Sequence, residues 1–223
     1  MNFRSTVCAA AGGVGLALLA SIAPAVGAEP PGPTAVIEKM ATSLAAAVDA
    51  DRERLAANPP ALYQLVDETL LPAFDTRYAA QLVLGRHART ATPQQRKDFV
   101  DAFYDFLVRS YADSALKFQK DRVKILPTPG AAATDKGRTA VRTLMDLDDG
   151  STISVDYSLS LRDGLWRIYD VRIEGISYVQ TYRNQFDAEI NARGLDAVIA
   201  RLEADAERLN PQPTADGSPS AAP

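Results

Sequence analysis

The apolar positions of the chain change period near Arg122, which divides it into a helical part, a set of strands and two closing helices. Between Thr34 and about Arg54, Val36, Ile37, Met40, Leu44 and Val48 recur at helical spacing, with Leu55 just beyond. Asn58 ahead of Pro59 marks the N-cap of a second helix through Leu62, Leu65, Val66 and Leu70. Asp75 can cap a short third helix carrying Tyr78, Leu82 and Val83, closed by Gly85. Thr92-Pro93-Gln94-Gln95 has capping-box spacing with proline at the first helical position. Phe99, Phe103, Phe106, Leu107 and Tyr111 then follow on one side of a fourth helix.

Beyond Arg122 the pattern alternates. Val123 and Ile125 predict a short strand, and Pro127 to Gly137 a loop. Three longer strands follow, Arg138–Leu147, Ser151–Leu161 and Leu165–Ile173, joined at Asp148-Asp149-Gly150 and Arg162-Asp163-Gly164. With three residues in each joint, Tyr157 faces Val141 and Tyr169, Val155 faces Thr143 and Val171, and Ile153 faces Met145 and Ile173. One face is then almost wholly apolar. A two-residue second joint would set Tyr157 opposite Asp170, because a one-residue slip inverts every side chain. The pattern therefore favours three-residue loops with glycine in the left-handed position and an antiparallel β-meander with one apolar face. Ser177-Tyr178-Val179-Gln180 repeats the capping-box spacing ahead of Val179, Tyr182, Phe186 and Ile190, with Gly194 as terminator. Leu195, Val198, Ile199, Leu202 and Leu209 predict a last helix. Helices, then a meander, then helices make an α+β fold with helices over the apolar sheet face.

The two ends read differently. Arg4 and the apolar run from Val7 to Ile22, followed by Ala25-Val26-Gly27-Ala28, form the pattern of a secretory signal peptide at residues 1–28, cleaved near Ala28. The single cysteine, Cys8, lies within it, so a chain starting at Glu29 has no thiol and is one unit more negative than the full chain's −4. Residues 210–223 hold four of the fourteen prolines and no large apolar side chain, the composition of a disordered tail. The folded unit is thus expected over residues 29–209.

Composition narrows the chemistry. A net charge of −4 with no basic stripe excludes nucleic acid as a partner. With one histidine and one cysteine, a zinc site of the usual kind cannot be assembled, and a catalytic triad would have to use His87. His87, in a loop after Gly85 and Arg86, reads as a surface or capping residue. Asp156 and Asp170 fall opposite each other in the three-residue register, where two carboxylates could share a proton. Arg172, diagonal to Asp156, makes an ion-paired surface the competing reading. Asp146, Asp148 and Asp149 lack the spacing and closing glutamate of a calcium loop, and Trp166 reads as packing. No catalytic or metal-binding residue is assigned. Phe99, Phe103, Phe106, Tyr111, Tyr157, Tyr169, Tyr182 and Phe186 can fill a core or line a cavity, and periodicity does not separate the two.

Three segments in order resemble one known family. They are Leu71-Pro72-Ala73-Phe74-Asp75 through Val83-Leu84-Gly85, then Thr92-Pro93-Gln94-Gln95-Arg96 with Phe99 and the Tyr111 helix, then Gly164 to Val171 with Glu174-Gly175-Ile176-Ser177 and Tyr182-Arg183-Asn184-Gln185-Phe186. Together they are similar to the MlaC family, also called the toluene-tolerance (Ttg2) family of periplasmic phospholipid-binding proteins, over roughly Ala35 to Leu209. The resemblance implies a twisted NTF2-like sheet whose helices enclose an apolar cavity for acyl chains, with phospholipid as carried ligand and no cofactor. It implies a soluble carrier in the Gram-negative periplasm, exchanging lipid with an outer-membrane MlaA-type lipoprotein complex and an inner-membrane MlaFEDB-type ABC transporter. On that reading the lipid-binding set is Leu82, Phe99, Phe103, Phe106, Tyr111, Val141, Val155, Tyr157, Tyr169, Val171, Val179, Tyr182, Arg183 and Phe186, with Tyr182, Arg183 and Gln185 nearest the head group. A diacyl lipid exposes roughly 30 methylenes at about 0.8 kcal/mol each, so on the order of 20 kcal/mol of water contact must be avoided in transit. Two other classes stay open: an NTF2-like enzyme using Asp156 or Asp170, and a ligand-free adaptor whose apolar face is only core.

Exported protein should begin at Glu29 and stay soluble without detergent. N-terminal sequencing of the secreted form checks this, and an uncleaved or acylated start would refute it.

Overall fold

The computed structural model describes residues 30–127 and 137–209. The predicted leader, the predicted tail and most of the loop after Pro127 lie outside the described residues.

Helix positions follow from local capping chemistry. Helix α1 (Pro33–Ala57) starts on proline and breaks its geometry at Asp51, where φ is −156° and ψ is 38°. Helix α2 (Pro59–Leu70) is capped by Asn58, whose side chain accepts the Ala61 N–H at 3.2 Å. Asp75 does the same for α3 (Thr76–Leu84) through the Tyr78 N–H at 3.0 Å. That helix stops at Gly85, which sits at φ +55° with the Arg183 side chain only 3.3 Å from where a Cβ would stand. Helix α4 (Pro93–Leu116) opens on a complete capping box. Thr92 Oγ1 accepts from the Gln95 N–H at 3.1 Å, and Gln95 Oε1 accepts from the Thr92 N–H at 3.0 Å. The box expected at Ser177 is only half formed. Ser177 accepts the Gln180 N–H at the start of α5 (Tyr178–Arg193), but the Gln180 side chain turns to Asn184 instead. Helix α6 (Leu195–Leu209) follows Gly194.

The sheet is an antiparallel meander in chain order, with strands β1 (Val123–Ile125), β2 (Arg138–Asp146), β3 (Thr152–Arg162), β4 (Leu165–Ile173) and β5 (Ile176–Ser177). β5 was not expected, since two residues carry no alternation. The first long hairpin has the expected register: Val141 faces Tyr157, Thr143 faces Val155 and Met145 faces Ile153. Its loop closes on a 2.8 Å bond from the Leu147 N–H to Ser151, leaving three residues with Gly150 at φ +81°.

The second hairpin departs from expectation. Arg162 pairs with Leu165, so the turn has two residues, with Asp163 at φ 51° and Gly164 at φ 76°. Positive φ at both positions is the type I′ geometry, whose twist matches that of the strands. This slip would invert the faces of β4, but an extra residue at Tyr169 inverts them again: Leu159 faces Ile168, and Ser158 faces Asp170. Tyr157 therefore faces Val171 rather than Tyr169, and Val155 faces Ile173 rather than Val171. Asp156 lies opposite Arg172, not Asp170, so the facing carboxylate pair does not form.

The α+β class stands, with the buried apolar side chains in three clusters. One joins α3, the first half of α4, α5 and α6 around Phe99, Phe103, Phe186 and Leu202. A second joins α1, α2 and the second half of α4 around Val48, Leu62 and Val108. The third seats α1 on the sheet through Ile37, Val141, Leu159 and Ile168, with Trp166 packed against it.

Thr92→Ala removes one half of the α4 box and should cost about 1 kcal/mol of stability. A lower denaturant midpoint with unchanged slope is the expected result.

Candidate functional site

Between the three clusters lies a cavity of about 780 Å³. Helix α4 supplies its longest wall because Val100, Phe103, Tyr104, Leu107, Val108, Tyr111, Ser114 and Ala115 recur three and four residues apart and form one stripe. Leu44 of α1, Val66 and Leu70 of α2, and Ala79 and Val83 of α3 face that stripe. The sheet contributes Met145, Tyr169, Asp170 and Val171, and α5 contributes Tyr178, Val179 and Tyr182. One end is charged, with Lys117, Gln119 and Arg122 beside Asp146, Asp148 and Asp149; Arg122 and Asp148 form an ion pair.

Six of the fourteen residues expected at a lipid site stand on this wall: Phe103, Tyr111, Tyr169, Val171, Val179 and Tyr182. The structure sets the other eight elsewhere. Phe99 and Phe186 are fully enclosed, their rings edge-to-face at 5.7 Å, and Phe106 packs against the same cluster. Arg183 donates from Nε to the Leu82 carbonyl at 2.6 Å beneath Gly85, so this pair fastens α5 to α3. Val141 and Tyr157 belong to the cluster between the sheet and α1, and Val155 is buried within the sheet. Burial pushes the Tyr157 phenol up to about 12. Wall residues that sequence reasoning missed, such as Val66, Leu70, Val108 and Met145, sit in ordinary amphipathic patterns. Nothing in those patterns marks which apolar residue borders open space.

The polar groups near the wall are mostly committed to structure. Asp170 is 7% exposed, and its carboxylate accepts from Ser177 Oγ at 2.8 Å and from the Val179 N–H at 3.1 Å. It thus caps α5 from β4, with Arg172 Nε 3.6 Å away. His87 is equally engaged: its Nε2 lies 2.8 Å from Asp187 Oδ1, and Arg86 joins the same carboxylate at 2.9 Å. The His87 hydrogen bond, followed by the Arg86 charge, holds the Asp187 carboxyl below its usual range. Asp67 is the exception. Burial raises its pKa against the opposing hydrogen bond from Tyr104, and its Oδ1 is enclosed without a hydrogen-bond partner. Burial and the neighbouring Asp67 in turn push the Tyr104 phenol far above its ordinary value.

A family profile described as MlaC protein matches residues 38–204. Toluene tolerance protein ttg2D of Pseudomonas putida is 26% identical over 165 residues, covering 74% of this chain and 75% of that protein. The intermembrane phospholipid transport system binding protein MlaC of Haemophilus influenzae is 20% identical over 179 residues, covering 79% and 83%. Among solved structures, a phospholipid-binding protein from Ralstonia solanacearum, in complex with a phospholipid, superposes with a TM-score of 0.71 at 26% identity. That match covers 80% of this chain and 99% of the other.

Asp67→Asn should stabilise the fold at neutral pH. Because burial raises its pKa, the folded state penalises the charged carboxylate. The penalty is complete above that raised pKa, shrinks as pH falls through it and is gone below the unfolded value of about 3.9. Urea unfolding should show a gain at pH 7 that disappears near about pH 3, where the Asp67 carboxyl is protonated in both the folded and the unfolded chain. An equal gain at both pH values would contradict this account.

Proposed function

The chain belongs to the MlaC family, and we propose that it is a periplasmic phospholipid carrier, exchanging lipid with an outer-membrane MlaA-type lipoprotein complex and an inner-membrane MlaFEDB-type ABC transporter. The observation that carries this reading is the continuous apolar cavity of about 780 Å³, framed by α1 to α5 and the sheet. If a methylene takes roughly the 30 Å³ of a water molecule, on the order of 25 methylenes fit inside, one long acyl chain or most of two. Relatives named for phospholipid binding and intermembrane transport support the same reading.

The chemistry suits a carrier. Lipid starts in a bilayer and ends in one, so the cavity has only to match hydrocarbon and contribute little more. Phe103, Tyr111, Tyr169, Val171, Val179 and Tyr182, with Leu44, Val66, Val83 and Val108, form the surface against which acyl chains lie. A reactive group would serve no purpose there. The enzyme alternative called for Asp156 or Asp170 as a free acid–base group. Asp170 instead caps α5, and Asp156 sits opposite Arg172. A ligand-free adaptor has no use for a cavity of this size.

Ala79→Phe combined with Ala115→Trp fills the space from α3 and α4 without placing a charge in it. Native mass spectrometry with lipid extraction should find phospholipid on the wild-type protein and little on the filled variant, with helical circular dichroism unchanged. A wild type that carries no lipid but shows turnover would replace the carrier by the enzyme; one with neither would favour the adaptor.

A further inference from the structure

The polar face of the sheet is laid out in rows across β2, β3 and β4. One row reads Arg142, Asp156, Arg172, with a carboxylate in the middle position. Four residues away along β2 and β3, another reads Arg138, Ser160, Arg167: two arginines again, but with serine between them. The Ser160 side chain is enclosed, at 4% exposure, and its Oγ has no hydrogen-bond partner among the described residues. Among those residues Arg138 and Arg167 form no ion pair, and the hydrogen bond of Arg138 goes to a phenol.

That phenol gathers a third guanidinium. Arg138 donates to the Tyr78 hydroxyl at 2.6 Å, and Arg162 lies over the Tyr78 ring with Cζ 4.1 Å from its centroid. The neighbouring carboxylates are committed or turned elsewhere. One oxygen of Asp75 accepts the Tyr78 N–H, and the other stands 3.3 Å from Arg162 Nε. Asp170, in the row between, is enclosed and bonded to the first turn of α5, and Asp163 lies in the turn beyond Arg162. Three cations thus share one carboxylate, although like charges held together repel. Beside them Leu165 is 43% exposed, opposite Arg162 and two residues before Arg167 on the same face.

We propose that this face docks an extended acidic segment of a protein partner. A carboxylate of that segment takes the middle place of the Arg138–Ser160–Arg167 row, and an aliphatic side chain two residues away covers Leu165. Arg138 and Arg167 spring from strands two spacings apart, about 10 Å, so a carboxylate laid over Ser160 is within reach of both. An extended chain returns to the same side every two residues, about 7 Å, which is the step from Leu165 to Arg167. Guanidinium groups present paired donors that match the two oxygens of a carboxylate. A bilayer approached by the hairpin tip would meet Asp163 before the arginines, whereas a strand laid along the face does not. Arg138, Ser160, Arg162, Leu165 and Arg167 are absent from the cavity wall, whose charged end lies at Asp146, the far end of β2. Docking here leaves the cavity free, so the proposal stands apart from the carrier reading.

The test is fluorescence anisotropy of the whole protein with a labelled peptide of Glu-Ser-Leu-Ser repeats, against the same peptide with glutamine for glutamate. The glutamate peptide should bind and the glutamine peptide should not. Arg138→Gln should weaken binding about tenfold, the scale of one charge-assisted hydrogen bond. Arg142→Gln, on the same strand and face but in the row that has its own carboxylate, should leave it unchanged. Ser160→Asp puts the missing carboxylate inside the row and should weaken the peptide at least as much as Arg138→Gln. If that variant loses its circular dichroism, Arg167→Gln takes its place. Equal losses from Arg138→Gln and Arg142→Gln, equal binding of the two peptides, or no binding of either overturns the proposal. Phosphatidylglycerol vesicles bound in place of the peptide would assign the face to a membrane and overturn it as well.

Discussion

One inserted residue in β4 governs how the sheet meets the helices. The type I′ turn at Asp163-Gly164 sets the strand one residue out of step with the apolar pattern of β3. The bulge at Tyr169 puts it back in step, so Val171 and Ile173 rejoin the apolar face. It also delivers two consecutive side chains to different helices. Tyr169 packs edge-on against Tyr78 of α3 at 5.3 Å, while Asp170 bonds to the first turn of α5. The free edge of β4 is closed on either side of the bulge by a single bridge from Phe74 and by the short strand β5. Both α3 and α5 therefore leave the sheet from one strand, at positions fixed by hydrogen bonds.

The cavity follows from that arrangement. Helix α4 is shared by two hydrophobic clusters, giving Phe99 and Phe103 to one and Val108 and Ala112 to the other. Neither cluster reaches the sheet, whose apolar face is closed mainly by α1. The space left between them is lined by side chains already anchored at their far sides. Tyr182 shows this directly: its ring packs against Phe103 and Phe186, while its hydroxyl meets Tyr111. Rigid packing behind the wall lets an unfilled volume persist in a protein whose interior elsewhere is closely packed.

Several polar residues that invite a catalytic reading turn out to be joints. Asp170 ties β4 to α5, while Asp187 gathers Arg86 and His87 to hold the turn after α3 against α5. Arg183 does the same through the Leu82 carbonyl. Asp170 and Arg183 each satisfy a part-buried backbone group that would otherwise be costly to leave unpaired. Fastening of this kind suits a container, where the walls must hold their positions and the contents must leave unchanged.

By itself the sequence determined whatever depends on near neighbours. The caps at Asn58, Asp75 and Thr92, the helical stripe from Phe99 to Tyr111, the change to alternation after Arg122 and the first long hairpin were all legible, because a cap or a strand face is decided within a few residues. The tertiary structure decided the two-residue turn and its compensating bulge, since two slips that cancel leave the apolar pattern almost unaltered. It also decided which apolar residues face a cavity. Phe99 and Phe103 share one helix face and one spacing, yet Phe99 is enclosed by α5 and α6 while Phe103 reaches the open space. That difference is set by the distance between elements far apart in the chain, a quantity that no local periodicity contains.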